Sequence, residues 1–538
     1  MTGGPPRGGG WWREATVYQV YLRSFQDSDG DGVGDLAGLR SRLDVLAQLG
    51  IDTLWLSPIH PSPDVDFGYD VADYDAVHPV LGDLDDFDAL LADARARGMR
   101  VLLDGVFNHT SDQHGWFQQS VADPEGPFGD FYIWRDGSPS RPPNNWGSTF
   151  GGPAWTFHPQ RGQWYLHLFA PQQPDLNWRN PAVVAAVLDS MEGWLRRGVS
   201  GFRLDVFNLY RKHPELPDNP TRVPLLGLVY AFAAQAHVHD RDQADLAEVL
   251  GQMRALADRH DAVLVGETLD ERFTYDNAAQ WVGPDRLHLA FHFRLLHSRW
   301  GARPFAAAIR AWMDDLGPER WPTWVVGNHD FKRTATRWGA RADRLKLVAL
   351  LQCGLRGTPF LYQGEELGLT DEKLPRGAIL DPPGRRFWPL YVGRDGCRTP
   401  VPWTDAGGGG FTTGDPWLPV SSVPADGTAA AQWDDPHSLW RFYQQAFRLR
   451  RATPALLHGE QEGPDGRHRQ VLSWTRTHGD DRVRVLLNLS DRSVRVPAPP
   501  GRVLLGTHGP PRREQDALLL RPVEGLILAE QPRTPSRS

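Results

Sequence analysis

The segment GFRLDV (Gly201–Val206) is a short apolar run that ends on charged residues, and three other segments share this design. They are DGVFNHT (Asp104–Thr110), VGET (Val265–Thr268) and VVGNHD (Val325–Asp330). Each has the length and β-branched content of a buried strand, and each delivers Asp, Glu, His or Arg where that strand should end. Burying such polar groups without partners costs about 2–7 kcal/mol. Charges at the mouth of a parallel barrel therefore indicate chemistry.

Strands and helical segments alternate along most of the 538 residues. Amphipathic stretches such as Asp85–Gly98 and Pro181–Gly198 separate the strands, which favours an α/β class with a parallel sheet. Eight strand–helix steps predict a (β/α)8 TIM barrel. The strands are predicted at Thr16–Phe25, Asp52–Pro58, Arg100–Asn108, Gly201–Val206, Ala262–Glu267, Leu287–Phe293, Thr323–His329 and Thr358–Glu366.

One connection is too long for a simple loop. From His109 to Trp178 the chain is rich in Gly, Pro, Trp and Asn and lacks helical periodicity, and long irregular segments inside compact domains are usually functional. We expect an inserted domain at 109–178 over the barrel mouth, after the third strand. The barrel then comprises 1–108 and 179–451, and short β runs with polar turns predict a C-terminal antiparallel, sandwich-like β domain at 452–538.

Composition excludes several classes of protein. A net charge of −8 without a basic stripe argues against nucleic acid as a partner, and no run reaches the roughly 18 apolar residues of a membrane helix. Cys353 and Cys397 lie far apart and fit no metal, redox or disulfide pattern, so we expect a cytoplasmic protein. The sequence does not indicate an oligomeric state.

Three carboxylates, Asp205, Glu267 and Asp330, stand at the ends of the fourth, fifth and seventh predicted strands. Grouped acids of this kind suggest chemistry on a glycosidic bond. Arg203 precedes Asp205 by two residues on one strand, so both side chains point the same way. A guanidinium in that position would keep Asp205 ionised.

In their order these segments resemble the α-amylase family of glycoside hydrolases, and within it the exo-acting α-glucosidases and oligo-1,6-glucosidases. The resemblance covers nearly the whole chain from Trp11. It also rests on DFGYDVADY (Asp66–Tyr74), QPDLNW (Gln173–Trp178) and GRDGCRTPVPW (Gly393–Trp403), in which PVPW stands where relatives commonly show PMQW.

The resemblance implies a role for each carboxylate. Asp205 would be the nucleophile, Glu267 the general acid/base and Asp330 the third carboxylate. A retaining glycosidase needs its two main carboxyls roughly 5–5.5 Å apart, so that one attacks while the other protonates the leaving oxygen. Glu267 must stay protonated, which requires an apolar setting or a neighbouring anion.

The resemblance also implies the substrate-binding residues. His109 and His329 would hydrogen-bond the reactive glucose, and Tyr69 would be its stacking platform. Asp66 and Arg398 would grip the non-reducing end and close the pocket behind it. Such a site removes one terminal glucose at a time from short α-gluco-oligosaccharides or disaccharides.

Val206 follows the predicted nucleophile and bears on the linkage that is cleaved. In the family that the chain resembles, valine at this position goes with α-1,6 activity, and threonine or alanine with α-1,4. Simple strand packing of Val206 is the alternative.

The loop DSDGDGVGD resembles most of a calcium loop. Asp27, Asp29, Asp31, the Val33 carbonyl and Asp35 occupy positions 1, 3, 5, 7 and 9, with Gly at position six. Position twelve is Gly38 instead of the bidentate glutamate. The resemblance implies a structural calcium ion as cofactor, and a polar turn without metal is the alternative.

Two competing functions remain open at this point. A glucosyltransferase, or a sucrose or trehalose isomerase, would form the same intermediate and pass it to a different acceptor. A non-catalytic amylase-like binding protein is disfavoured, because this chain retains all three acids and shows no membrane segment.

Overall fold

The computed structural model describes residues 10–227, 230–270, 277–464, 466, 468–498, 501–514 and 516–530. One parallel sheet is at its centre. Its strands are β1 (Val17–Val20), β2 (Thr53–Leu56), β3 (Arg100–Gly105), β4 (Gly201–Leu204), β5 (Val263–Gly266), β6 (Leu289–Ala290), β7 (Thr323–Val325) and β8 (Thr358–Tyr362). Their spatial order is β7–β8–β1–β2–β3–β4–β5–β6. A 2.7 Å hydrogen bond from Thr323 Oγ1 to the Ala290 carbonyl links β7 to β6, so the sheet is nearly closed. The predicted TIM barrel is confirmed.

All eight strands are found where they are predicted, but they are shorter. The first run ends as a strand at Val20, and its remainder forms a 3-10 turn at Leu22–Ser24. The residues of this run beyond Val20 are buried without pairing in the sheet, so their apolar composition reports burial and not strand geometry. Close pairing of β4 with β5 requires Gly201, where a Cβ would lie 2.1 Å from the Val263 carbonyl oxygen.

Helices cover the outside of the barrel. In Pro181–Arg197, Asn180 caps the first turn and Pro181 stands at its start, where its missing N–H is no loss. This helix buries Val183, Val187, Met191 and Trp194. The other helices of at least six residues are Leu36–Ser41, Leu43–Leu49, Leu84–Ala96, Gly115–Ala122, Leu246–Arg259, Ala302–Leu316, Ala342–Gly354, Pro382–Phe387, Ala429–Asp434 and Leu439–Ala452.

The segment between β3 and β4 carries its own small antiparallel sheet. Its strands are Trp134–Arg135, Gln163–Leu166 and Trp155–His158, in that spatial order. Trp146, Trp155 and Leu166 form an apolar cluster that also contains Val206. The inserted segment therefore shares an apolar cluster with Val206, the residue that follows Asp205. The domain limits given above stay predictions.

The C-terminal part is antiparallel, as predicted. One sheet has five strands and the other three, and Val471, Leu486, Val494, Leu518 and Leu526 belong to one shared apolar cluster. In the described part of the chain, no helix combines the length and the apolar character needed to cross a membrane. The expected cytoplasmic location stays a prediction. The strands of the five-stranded C-terminal sheet are, in spatial order, Glu460–Glu462, Val471–His478, Asp481–Asn488, Gly525–Glu530 and Gly501–Gly506. Those of the three-stranded sheet are Val494–Pro497, Ala517–Leu520 and Arg512–Glu514.

Candidate active site

Arg203, in β4, contacts three carboxylates at the carboxyl edge of the barrel. Its Nη1 lies 2.6 Å from Asp104 Oδ1 and 2.7 Å from Asp205 Oδ1. Its Nη2 forms an ion pair with Glu267 Oε2. All four side chains are buried. Acids from three neighbouring strands are thus gathered around one guanidinium, which offsets the mutual repulsion of their negative charges.

Burial raises the pKa of Asp205 to about 6, although Arg203 acts in the opposite direction. Asp104 adds to the increase, because a second negative charge disfavours ionisation. Arg203 therefore keeps Asp205 ionised at neutral pH. Because burial raises its pKa, Asp205 becomes protonated once the pH falls below about 6.

Asp330 follows β7 and lies beside two arginines and His329. Its Oδ1 is 3.1 Å from Arg398 Nη2 and 3.2 Å from Arg394 Nη1, and its Oδ2 is 3.2 Å from His329 Nε2. Burial favours the neutral acid, but the guanidinium groups of Arg394 and Arg398 outweigh it and lower the pKa of Asp330. Asp330 is therefore ionised at neutral pH.

His329 joins two parts of the predicted site. Its Nε2 lies 2.6 Å from Tyr69 Oη, and its Nδ1 lies 2.7 Å from Gln19 Nε2. The Tyr69 hydroxyl also donates to Asp104 Oδ2 at 3.0 Å. Burial holds the pKa of His329 well below its usual range, so the imidazole is neutral.

His109 follows β3 and lies beside the same cavity. Its Nε2 is 3.0 Å from the Tyr69 carbonyl oxygen and 3.2 Å from Gln173 Nε2. Burial lowers the pKa of His109, so this ring is neutral as well. The site therefore offers two neutral imidazoles beside its anionic carboxylates.

Asp66 forms its ion pair with Arg394. The expected roles of Asp66 and Arg398 at the non-reducing end of the sugar stay predictions. Arg394 Nη2 lies 2.6 Å from Asp66 Oδ1, whereas Arg398 donates from Nε to the His329 carbonyl at 2.9 Å. A 3-10 turn at Asp395–Cys397 separates the two arginines and directs them to different partners. Arg398 thus contacts the β7 end, and Arg394 reaches across the cavity.

Val206 has a backbone conformation that the sequence did not indicate. Its φ of 35° and ψ of 39° are left-handed, which is strained for a β-branched residue. The side chain is buried and lines the cavity beside Asp205. The chain turns sharply here, immediately after the predicted nucleophile.

These side chains surround one cavity of about 200 Å³. Most of the predicted residues line it, namely Asp66, Tyr69, His109, Asp205, Val206, Glu267, His329 and Asp330. Arg203 and Arg398 lie behind this lining. Sequence reasoning missed Arg394, and it missed the apolar lining residues Phe150, Phe169, Leu269 and Phe331. Arg394 was visible in the GRDGCRT segment, but the apolar residues carry no sequence signal.

The predicted metal loop brings together three of its four carboxylates. Ligand oxygens of Asp27, Asp29 and Asp35 lie within 4.8 Å of one another. Asp31 is not part of this group, because its Oδ1 accepts the Val33 N–H at 2.7 Å in a local turn. Three converging carboxylates match the oxygen ligands that calcium prefers, so the loop fits the ion in composition.

The carboxylates of this loop repel one another, and a bound cation would relieve that repulsion. The pKa of Asp31 is raised by burial and by the negative charges of Asp27, Asp29 and Asp35. Gly32 at position six has φ 92°, and a Cβ there would lie 1.9 Å from the Asp415 carbonyl oxygen, so only glycine fits the turn. Gly38, at position twelve, donates its N–H to Asp35 Oδ1 and supplies no carboxylate.

Comparison with known proteins gives matches over nearly the whole chain. Residues 19–459 match the family described as "Alpha amylase, catalytic domain", and residues 467–527 match a domain of unknown function, DUF3459. A probable alpha-glucosidase of Rhizobium meliloti is 42% identical over 498 residues, which are 90% of each chain. An oligo-1,6-glucosidase of Parageobacillus thermoglucosidasius is 35% identical, covering 90% of this chain and 91% of its own.

The crystal structure of an alpha-glucosyl transfer enzyme is similar over its full length. Its TM-score is 0.91 at 39% identity, covering 97% of this chain and 99% of that one. The likeness therefore includes the barrel, the inserted segment and the C-terminal sheets.

Proposed function

Because the chain belongs to the α-amylase family of glycoside hydrolases, we propose that it is a retaining exo-α-glucosidase that acts on short α-linked glucosides. One observation carries the proposal: Asp205, Glu267 and Asp330 line a single cavity whose loops are bridged by the Asp66–Arg394 ion pair. Relatives named alpha-glucosidase and oligo-1,6-glucosidase support it.

The reaction has two steps. In the first, an Asp205 oxygen attacks C1 of the terminal glucose. Glu267, which must then be protonated on the oxygen that does not face Arg203, gives that proton to the departing glycosidic oxygen. In the second, Glu267 takes a proton from water, whose oxygen attacks C1 and releases Asp205. Each step inverts C1, so the product keeps the α configuration.

Arg203 is a positioning residue for both acids. Its contacts with Asp205 and Glu267 hold the two carboxyls on one guanidinium, whose rigid fork fixes their relative orientation. Asp330 is anionic and faces the same cavity, where it would bond sugar hydroxyls and favour the positive charge that develops on the ring.

Arg394 and Asp66 provide the specificity for chain ends. Together they can bond the hydroxyls at the non-reducing end, and their ion pair obstructs passage of a longer chain. We therefore propose that disaccharides and short oligosaccharides are substrates and that starch is a poor one. Val206 beside the nucleophile favours α-1,6 bonds, with α-1,4 bonds also accepted.

A glucosyltransferase is the second candidate function. The similarity to an alpha-glucosyl transfer enzyme favours it, because such an enzyme passes the same intermediate to an acceptor other than water. Product analysis with isomaltose, maltose, sucrose and trehalose separates the candidates: release of free monosaccharides alone means hydrolysis, and new disaccharides mean transfer or isomerisation.

Asp27, Asp29 and Asp35 would hold the structural calcium ion. The ion would neutralise the loop's negative charge and fix the chain between β1 and its following helix. It has no part in the reaction steps.

Chemical rescue tests the roles of the two acids. Asp205→Ala should be inactive on every glucoside, and azide should restore turnover by replacing the nucleophile, giving β-glucosyl azide. Glu267→Ala should keep far more activity on p-nitrophenyl α-glucoside than on isomaltose, because that leaving group needs little protonation. Azide should then give α-glucosyl azide. Interchanged azide products would reverse the assignment of Asp205 and Glu267.

A further inference from the structure

Tyr21 directly follows β1 and lies behind the lining of the catalytic cavity. Its side chain is 1% exposed. Its ring is nearly parallel to that of His329, with ring centroids 5.8 Å apart and an interplanar angle of 22°. The Arg398 guanidinium lies over the same ring, 5.4 Å from its centroid. One aromatic ring therefore contacts two residues of the site.

The two groups that lie against Tyr21 contact both oxygens of Asp330. Arg398 Nη2 lies 3.1 Å from Asp330 Oδ1, and His329 Nε2 lies 3.2 Å from Oδ2. Arg394 adds a second contact to Oδ1 at 3.2 Å. The orientation of the Asp330 carboxylate thus depends on where the His329 and Arg398 side chains are held.

The Arg398 guanidinium is buried and has few hydrogen bonds. Its Nε donates to the His329 carbonyl at 2.9 Å, and its Nη1 has no hydrogen-bond partner among the residues that the structure describes. A guanidinium that is removed from water gains more from the face of an aromatic ring than an exposed one does. The Tyr21 ring therefore stabilises Arg398 where hydrogen bonds do not.

Trp417 in turn packs against Tyr21. The two rings are 6.2 Å apart with an interplanar angle of 27°. Trp417 Nε1 donates to Ser24 Oγ at 3.0 Å, and its backbone N–H donates to the Gly32 carbonyl at 3.0 Å. Tyr21 is thus packed against a ring whose own position is fixed by two hydrogen bonds.

The hydroxyl of Tyr21 does not explain why the residue is there. Its Oη is buried and has no hydrogen-bond partner in the described part of the chain. Burial raises the pKa of Tyr21 to about 12, so the phenol is neutral. The ring, and not the hydroxyl, therefore makes the contacts with His329 and Arg398.

We propose that Tyr21 is a positioning residue whose ring orients His329 and Arg398, so that they hold the Asp330 carboxylate toward the reacting sugar. The proposal rests on the glucosidase function proposed above and adds a residue that acts through others. Asp330 would favour the positive charge that develops in the transition state. Loss of the Tyr21 ring should therefore lower kcat more than it changes KM.

Substitutions separate the ring from the hydroxyl, with p-nitrophenyl α-glucoside as the substrate. We expect Tyr21→Leu to lower kcat about 10- to 100-fold, the cost of a small misplacement of reacting groups, with KM changed less than about threefold. Tyr21→Phe keeps the ring, so it should retain most of the wild-type kcat and should not melt at a lower temperature.

Tyr443→Leu is the matched control. Tyr443 is also 1% exposed, but it belongs to the helix Leu439–Ala452 and does not line the cavity. Its replacement should lower the melting temperature and leave kcat unchanged at temperatures where the variant is folded.

Inhibitor binding separates positioning from a general loss of stability. 1-Deoxynojirimycin is a glucose analogue with a protonated ring nitrogen, so it resembles the charge of the transition state. Tyr21→Leu should raise the Ki of this inhibitor at least about tenfold, while the Ki of glucose changes little. Trp417→Leu, on a half-buried residue, should lower kcat and raise the same Ki by smaller factors, and it provides the test if Tyr21→Leu does not fold.

The two proposals fail in different ways. Wild-type hydrolysis with an unchanged kcat in Tyr21→Leu and Trp417→Leu would refute the role of Tyr21 alone. A loss of kcat that is as large in Tyr21→Phe or Tyr443→Leu as in Tyr21→Leu would also refute it, because neither control removes the ring from His329. A wild-type enzyme that hydrolyses neither p-nitrophenyl α-glucoside nor isomaltose would refute the glucosidase function and the role of Tyr21 together.

Discussion

Asp66 Oδ1 lies 2.6 Å from Arg394 Nη2, and this ion pair joins the loop after β2 to the loop after β8 across the catalytic cavity. The same guanidinium reaches Asp330 and Asp381. Arg394 thus contacts both Asp66, which is proposed to bind the non-reducing end of the sugar, and Asp330, the proposed third carboxylate.

Removing Arg394 should therefore impair catalysis strongly. In Arg394→Met, two buried carboxylates lose their cation, which typically costs about 3–5 kcal/mol. We expect kcat/KM on isomaltose to fall at least about 100-fold, mainly through KM. Arg376→Met, on an exposed arginine of the preceding loop, is the control. An Arg394→Met enzyme with unchanged KM would show that this arginine does not bind substrate.

The pH profile should report the buried nucleophile. Since the pKa of Asp205 is raised to about 6, and only its ionised form attacks, kcat/KM should fall as the pH drops through about 6. In Asp104→Asn the like charge is lost, so the pKa of Asp205 should decrease and the acid limb should move to lower pH. An acid limb that moved upward in Asp104→Asn would contradict this electrostatic account.

Val206 should set the linkage preference. We expect isomaltose to be hydrolysed at least as efficiently as maltose. Val206→Thr keeps the branched shape and adds a hydroxyl able to bond the leaving sugar. The ratio of kcat/KM for maltose to kcat/KM for isomaltose should therefore rise, within the range of about 10- to 200-fold that such small contacts provide. Matched melting temperatures would show that the left-handed turn is kept. A wild-type enzyme confined to maltose would rule out this role.

Calcium should stabilise the fold without driving the chemistry. The melting temperature should rise with free calcium and fall in chelator, following ligand linkage, while the initial rate at low temperature changes little. Asp29→Ala should abolish the calcium response, because Asp29 belongs to the converging group. Asp31→Ala, which lies outside that group, should retain most of it. Identical melting curves with calcium and chelator in wild type would argue for a polar turn without metal.

The sequence predicted much of this arrangement because charged residues at the ends of buried strands are costly unless they are paired or take part in chemistry. Asp205, Glu267 and Asp330 each follow a run that becomes a barrel strand, and a parallel barrel brings such ends together. The fold and the meeting of the three acids therefore follow from local pattern and topology.

Details that depend on turns could not be predicted in this way. Arg394 and Arg398 differ by four positions, and only the 3-10 turn between them decides which one reaches Asp66. The left-handed conformation of Val206 contradicts its local preference for strand, and packing against the inserted segment accompanies it.

The central claim is a double displacement through Asp205, and the configuration of the first product tests it most directly. Hydrolysis of p-nitrophenyl α-glucoside releases a single glucose, and proton NMR during the first minutes, before mutarotation, separates its two anomers. The resonance of newly released α-glucose should appear first, and the β anomer should follow only as mutarotation proceeds. Initial release of β-glucose would mean a single displacement by water and would contradict a nucleophilic Asp205.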